Sequence, residues 1–191
     1  ADRSEARATG LNTRVLAALF GITVLFISLT AIWVAMEQLG TAEGLSAGVV
    51  SLALSFGLLF SFAGALAPAF TESLTTRQRQ VKIAYLVLLG TLALLAWGVG
   101  AWPYALALCL YNFCYSFVIP FQSAWVAASD SLGRNAVLVP VAQGIGVSLG
   151  PLLAGMLIAG AGISMVITAS AILLLCSYLS IRWAGDPLPQ S

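Results

Sequence analysis

Within an otherwise apolar stretch, residues 104–122 carry Tyr104, Tyr111, Asn112, Tyr115 and Gln122. On a helix Tyr104, Tyr111, Tyr115 and Gln122, spaced seven, four and seven apart, share one face, and Asn112 lies beside it. Lipid offers such groups no hydrogen-bond partner. They must line a wet cavity, tie helices together, or sit in the interfacial belt near a span end. Tyr104, near the end of the run, suits the belt. Tyr111, Asn112 and Tyr115 fall near mid-depth and are expected to line a cavity, with interhelical bonding as the alternative. Pro120 removes a backbone donor and is expected to kink the helix or free a carbonyl. A second stripe, Thr23, Phe26, Thr30, Trp33 and Glu37, follows a three-four-three-four spacing. Thr23, Phe26, Thr30, Trp33, Tyr111, Asn112, Tyr115 and Gln122 are together expected to line a substrate cavity, whose aromatic and neutral character suits an uncharged or amphipathic organic solute. Trp33 could stack a ring of that solute.

Glu37 is the one carboxylate that falls within an expected span, and intramembrane carboxylates are functional candidates by default. It is a candidate proton carrier or gate. It also lies 23 residues beyond Arg14, ~35 Å along a straight helix, so the alternative is a hydrated position at the outer boundary. Enzyme chemistry finds little to work with. There is no histidine, which excludes Ser-His dyads and HExxH zinc sites. Asp2, Asp130 and Asp186 lie outside the spans, and no phosphate-cradling loop is present. Cys109, Cys114 and Cys176 lack metal spacing. The expectation is a protein that is not an enzyme and uses no metal or cofactor. No basic patch with interleaved aromatics points to nucleic acid.

The elements that position these stripes follow from composition. The chain has 191 residues, 60% hydrophobic and 8% charged, whereas soluble domains are about one quarter charged. Long unbroken apolar runs indicate transmembrane helices rather than barrel strands. Spans are expected near residues 15–38, 47–69, 83–100, 104–128, 136–159 and 163–183. Residues 1–14 form a linker or tail, 15–183 the bundle in repeats of about 15–100 and 103–183, and 184–191 a second tail. The charged opening is not a signal peptide, and the chain is expected to be part of something longer.

The second span places Gly57, Ser61, Gly64 and Pro68 on one face, and the fifth carries Gln143, Gly146, Gly150 and Pro151. Such faces let another backbone approach closely. Gln143 is expected to hydrogen-bond across to a partner half or within the bundle. The third and sixth spans are mostly greasy. The order stripe, small, greasy therefore occurs twice. Because a triplet is odd in number, the second triplet enters from the opposite side, the inverted repeat common among secondary transporters. With both termini inside, Arg3, Arg7, Arg14, Arg77, Arg79, Lys82, Arg134 and Arg182 all fall on the inner side, as the positive-inside rule requires.

Three stretches, WVAMEQLGTAEG (33–44), YNFCYSFVIPFQ (111–122) and GRNAVLVPVAQGIGVSLGPLLAG (133–155), resemble the major facilitator superfamily. The resemblance spans essentially the whole chain and matches one six-helix half. The loop ESLTTRQRQVK is basic but lacks the aspartate and glycines usual in the amino-terminal half, and the fourth span lacks the arginine of proton-coupled members. The chain therefore resembles helices seven to twelve. The resemblance implies an amino-terminal six-helix half as partner and a small-molecule substrate moved by alternating access. It also implies the bilayer of a bacterial inner membrane, while a proton as candidate coupling ion rests on Glu37 alone. It further implies that the first and fourth spans line the cavity, the second and fifth slide against the other half, and the third and sixth face lipid. Two other classes stay open: a pore formed by the six-helix unit, and a non-transporting interaction subunit.

Overall fold

The computed structural model describes residues 13–71, 75–97, 100–129 and 134–185, and every element among them is helical. Six long helices follow one another: α1 (Thr13–Ala42), α2 (Ala47–Leu66), α3 (Arg77–Ala96), α4 (Ala101–Ala128), α5 (Leu138–Ala161) and α6 (Ile163–Ala184). A helical turn at Pro68–Thr71 follows α2, and a 3-10 turn at Arg134–Val137 leads into α5. All six helices are long and apolar enough to cross a membrane, which makes this a multi-pass membrane protein.

Several boundaries differ from expectation, two of them for a clear local reason. α4 takes in Ala101–Pro103, because a proline in the first turn has no intrahelical acceptor to lose. α3 begins at Arg77, six residues early. Its buried Gln80 latches the preceding loop there: Nε2 donates to Thr71 O at 2.7 Å and Thr75 O at 3.0 Å, while Thr71 Oγ1 donates to Gln80 Oε1 at 3.1 Å. α1 continues to Ala42, so Glu37 lies inside a helix and not at its end. At 30 residues, ~45 Å by helical rise, α1 is longer than the ~30 Å hydrocarbon core. Pro120 and Pro151 sit within uninterrupted helices.

The packing is interlocked. α1 packs against α5 and α6, α4 packs against α2 and α3, and α1 and α4 meet between these pairs. α1 and α4 are the most enclosed helices, and α2 and α5 are among the least. Hydrogen bonds fix the registers. Tyr104 Oη donates to Met36 O at 2.6 Å and Tyr111 Oη to Leu29 O at 3.1 Å, so α4 runs antiparallel to α1. Ser28 Oγ donates to Ser170 O at 2.9 Å and Ser177 Oγ to Gly21 O at 2.6 Å, so α6 is also antiparallel to α1. Gly146 meets Thr23 and Phe26 while Gly150 meets Ile27 and Thr30, so α5 is parallel to α1. Gly57 meets Asn112, and Ser61 Oγ lies 2.5 Å from Ser116 Oγ, so α2 is parallel to α4.

The core between these helices holds Leu25, Ile32, Met36, Leu88, Leu108 and Val118 among others. α3 and α6 are not featureless: α3 buries Gln80, Tyr85 and Thr91, and α6 buries Ser170 and Ser177. Buried polar groups in a membrane protein face the bundle interior, where carbonyls of neighbouring helices satisfy them.

Candidate functional site

On α1 the expected stripe divides by exposure. Thr23 and Thr30 are half-buried, Trp33 is 39% exposed and Glu37 is exposed. Phe26 is buried, packed beside Gly146 of α5 and against the Tyr115 ring, the two rings lying 5.8 Å apart at 76°. Tyr115 is half-buried, beside Ile119. Within the stripe, Phe26 meets Tyr115 of α4, whereas Thr23 and Thr30 lie against Gly146 and Gly150 of α5. Thr23 Oγ1 donates to Leu19 O at 3.0 Å. Thr30 Oγ1 lies 2.7 Å from Phe26 O and 3.3 Å from Gly146 O. A hydroxyl has one proton and two acceptor lone pairs, so both threonines retain acceptor capacity. Trp33 adds an open ring face, and Glu37 a carboxylate one turn further along.

The rest of the α4 stripe lies elsewhere. Tyr111 and Asn112 are buried between helices and line no open face. Tyr111 is spent on α1 through Leu29 O, and Tyr104 likewise through Met36 O instead of sitting in a belt. Asn112 Nδ2 donates to Leu108 O of its own helix at 2.9 Å. It occupies space left by Gly57, where a Cβ would lie 2.9 Å from Nδ2. A stripe of phenols bonded to a neighbour's carbonyls is interhelical glue.

Gln122 is also buried, at 4% exposure, and ends a hydrogen-bond chain across α4, α3 and α6. Ser177 Oγ donates to Gly21 O, which can only accept; Ser177 lies 2.8 Å from Tyr85 Oη, which therefore donates to it. Tyr85 Oη in turn accepts from Gln122 Nε2 at 3.0 Å. This sequence fixes the amide orientation and leaves Gln122 Oε1 buried without a partner. The Tyr85–Ser177 link went unanticipated. The sequence carries no signal for it; the matched seven-residue spacings of Gly21 and Ser28 on α1 and of Ser170 and Ser177 on α6 bear only on the α1–α6 contact.

The small-residue faces also require correction. Gly57 and Gly64 are buried against Asn112 and Phe113 of α4, and Gly146 and Gly150 against α1. Ser61 joins the first pair through Ser116. These contacts hold the bundle together, so the faces are filled from within the chain instead of by a partner half. The physical reason is that α1 and α4 are central, and each admits a neighbour closely only where that neighbour lacks a side chain. Pro151 lies on the exposed side of α5 with Gly144, Ser148 and Gly155, and Gln143 is half-buried.

A cavity of about 620 Å³ opens at the end of the bundle where α3 begins and α4 and α6 finish. Gln122, Phe121, Trp125 and Tyr178 line it together with Arg77, Arg79, Lys82 and Arg182. Of the eight residues expected to line a cavity, Gln122 alone borders this one. No model of a known protein family matches the chain, and no curated protein matches it.

Proposed function

We propose that the chain forms one six-helix half of a secondary transporter for small organic solutes, of the major facilitator type. The observation that carries this reading is the exchange of lead helices. The first helix of each triplet packs on the second and third helices of the other: α1 on α5 and α6, α4 on α2 and α3. The directions correspond too, since α1 with α5 and α4 with α2 both run parallel. Two inverted triplets related by a pseudo-two-fold axis would pack in this way. The substrate face in this reading comprises Thr23, Thr30, Trp33 and Tyr115, with Glu37 as gate or proton carrier. The partner half would close over it. The filled interior, with Leu25, Ile32, Met36 and Leu108 fully buried, argues against a pore through a single unit.

The described cations support an inner-membrane orientation with cytoplasmic termini. Arg14 starts α1, Arg77, Arg79 and Lys82 start α3, and Arg182 ends α6. Those ends lie together, because Arg182 borders both the cavity at the start of α3 and a groove at the start of α1. Single cysteines at Thr41 and Ala161, in a background without Cys109, Cys114 and Cys176, are expected to react with an impermeant thiol reagent from outside. A cysteine at Thr76 should react only from inside. Labelling of Thr76 in intact cells would contradict the orientation. Transport itself is tested by flux through the protein expressed from its intact gene: saturable, competitor-sensitive uptake is expected, and ohmic current through the six-helix unit alone would favour a pore.

A further inference from the structure

The basic cavity belongs to no part of the transport reading. Arg79, Lys82 and Arg182 place exposed cations around it, Arg77 stacks over the Phe121 ring at 5.8 Å, and no carboxylate lines it among the described residues. Gln122, one of the residues lining the cavity, carries a buried Oε1 without a partner. The chain of Tyr85, Ser177 and Gly21 holds the amide nitrogen on Tyr85, so a group reaching Gln122 from the cavity would find an acceptor and not a donor. A simple anion would satisfy the rim and leave that acceptor unsatisfied. A group with an anionic phosphate and a hydroxyl donor nearby satisfies both.

We propose that this cavity binds a phosphate ester bearing an adjacent hydroxyl, the phosphate on Lys82, Arg79 and Arg182 and the hydroxyl donating to Gln122 Oε1. A glycerol-headed anionic phospholipid and soluble glycerol phosphate share this chemistry. A second feature favours the lipid. Arg182 also borders an apolar groove of about 800 Å³ lined by Leu16, Phe20, Leu179 and Trp183 on the outer flank of the bundle. A headgroup in the cavity would leave acyl chains a path along that groove. Basic pockets between transmembrane helices are established binding places for anionic headgroups.

The test uses the full protein purified into phosphatidylcholine nanodiscs and offered phosphatidylglycerol, phosphatidylmethanol, or glycerol 3-phosphate, with retained ligand read by native mass spectrometry. Phosphatidylmethanol carries the same charge without the hydroxyl. Phosphatidylglycerol is expected to be retained roughly tenfold or more over phosphatidylcholine, and Lys82→Gln with Arg182→Gln should abolish that preference. Gln122→Leu should erase the preference for phosphatidylglycerol over phosphatidylmethanol while keeping retention of both. Competition by glycerol 3-phosphate at matched concentration would support the site and assign it to the soluble source. Lack of such competition would support the lipid. No anionic preference, or one that survives the double charge variant, would overturn the site. Equal retention of phosphatidylmethanol by the unaltered protein would overturn the hydroxyl contact.

Discussion

Gly150→Leu is expected to remove the folded protein from the membrane and not merely slow its turnover. A Cβ at this position would fall on Thr30 Oγ1 and lie 2.7 Å from Ile27 O and 2.9 Å from Ala31 N. Two of those neighbours are backbone atoms of a central helix, which cannot rotate away as a side chain would. Overpacking costs typically 1–3 kcal/mol and more where backbone must move, so roughly 3 kcal/mol or more is expected here. Unfolding in graded denaturing detergent, together with protein level in the membrane, measures it. Gly155→Leu is the matched control on the same helix, because a Cβ there meets nothing within 4 Å. It should leave level and stability unchanged. Were Gly155→Leu to abolish transport at normal level, the exposed side of α5 would be the side that meets a partner half.

Trp33→Ala and Tyr115→Ala are expected to raise the half-saturation concentration for transport about 5- to 150-fold at unchanged membrane level. Loss of a stacking face or donor at a desolvated contact is worth roughly 1–3 kcal/mol. Asn112→Ala should behave oppositely, lowering stability with half-saturation unchanged, because its amide bonds its own helix in the space beside Gly57. Glu37→Gln should leave binding near normal and lower the maximal rate, as loss of a gate residue would. Transport kinetics and protein level measured together separate these outcomes. Normal half-saturation in both aromatic variants would remove the α1–Tyr115 face from the substrate path.

The helices were legible because apolar run length decides them. The bearing of the α1 stripe was less legible: Phe26 meets Tyr115 of α4, whereas Thr23 and Thr30 lie against Gly146 and Gly150 of α5. Which way the α4 stripe points was not legible. Tyr104, Tyr111 and Gln122 share a face by spacing alone, but spacing cannot say whether that face meets water or a carbonyl of a neighbouring helix. The same ambiguity misdirected the glycines. Gly146 and Gly150 mark close approach, and only the three-dimensional arrangement names α1 as the backbone that approaches. The early start of α3 was hidden for another reason: a loop latch by Gln80 leaves no trace in hydropathy. The greasy third and sixth spans concealed Tyr85 and Ser177, whose isolated hydroxyls gain meaning only when paired 2.8 Å apart.

The proposed transport requires the α1 face to open alternately to the two sides of the membrane. A single cysteine at Thr30, half-buried on that face, tests it without knowledge of the substrate. The variant, lacking Cys109, Cys114 and Cys176 and expressed from its intact gene, would be treated with impermeant thiol reagent in right-side-out and in inverted sealed vesicles, with ion leak recorded in parallel. Alternating access predicts modification from each side with the vesicles remaining tight to ions. Modification from neither side, or from both with a steady ion leak, would contradict it.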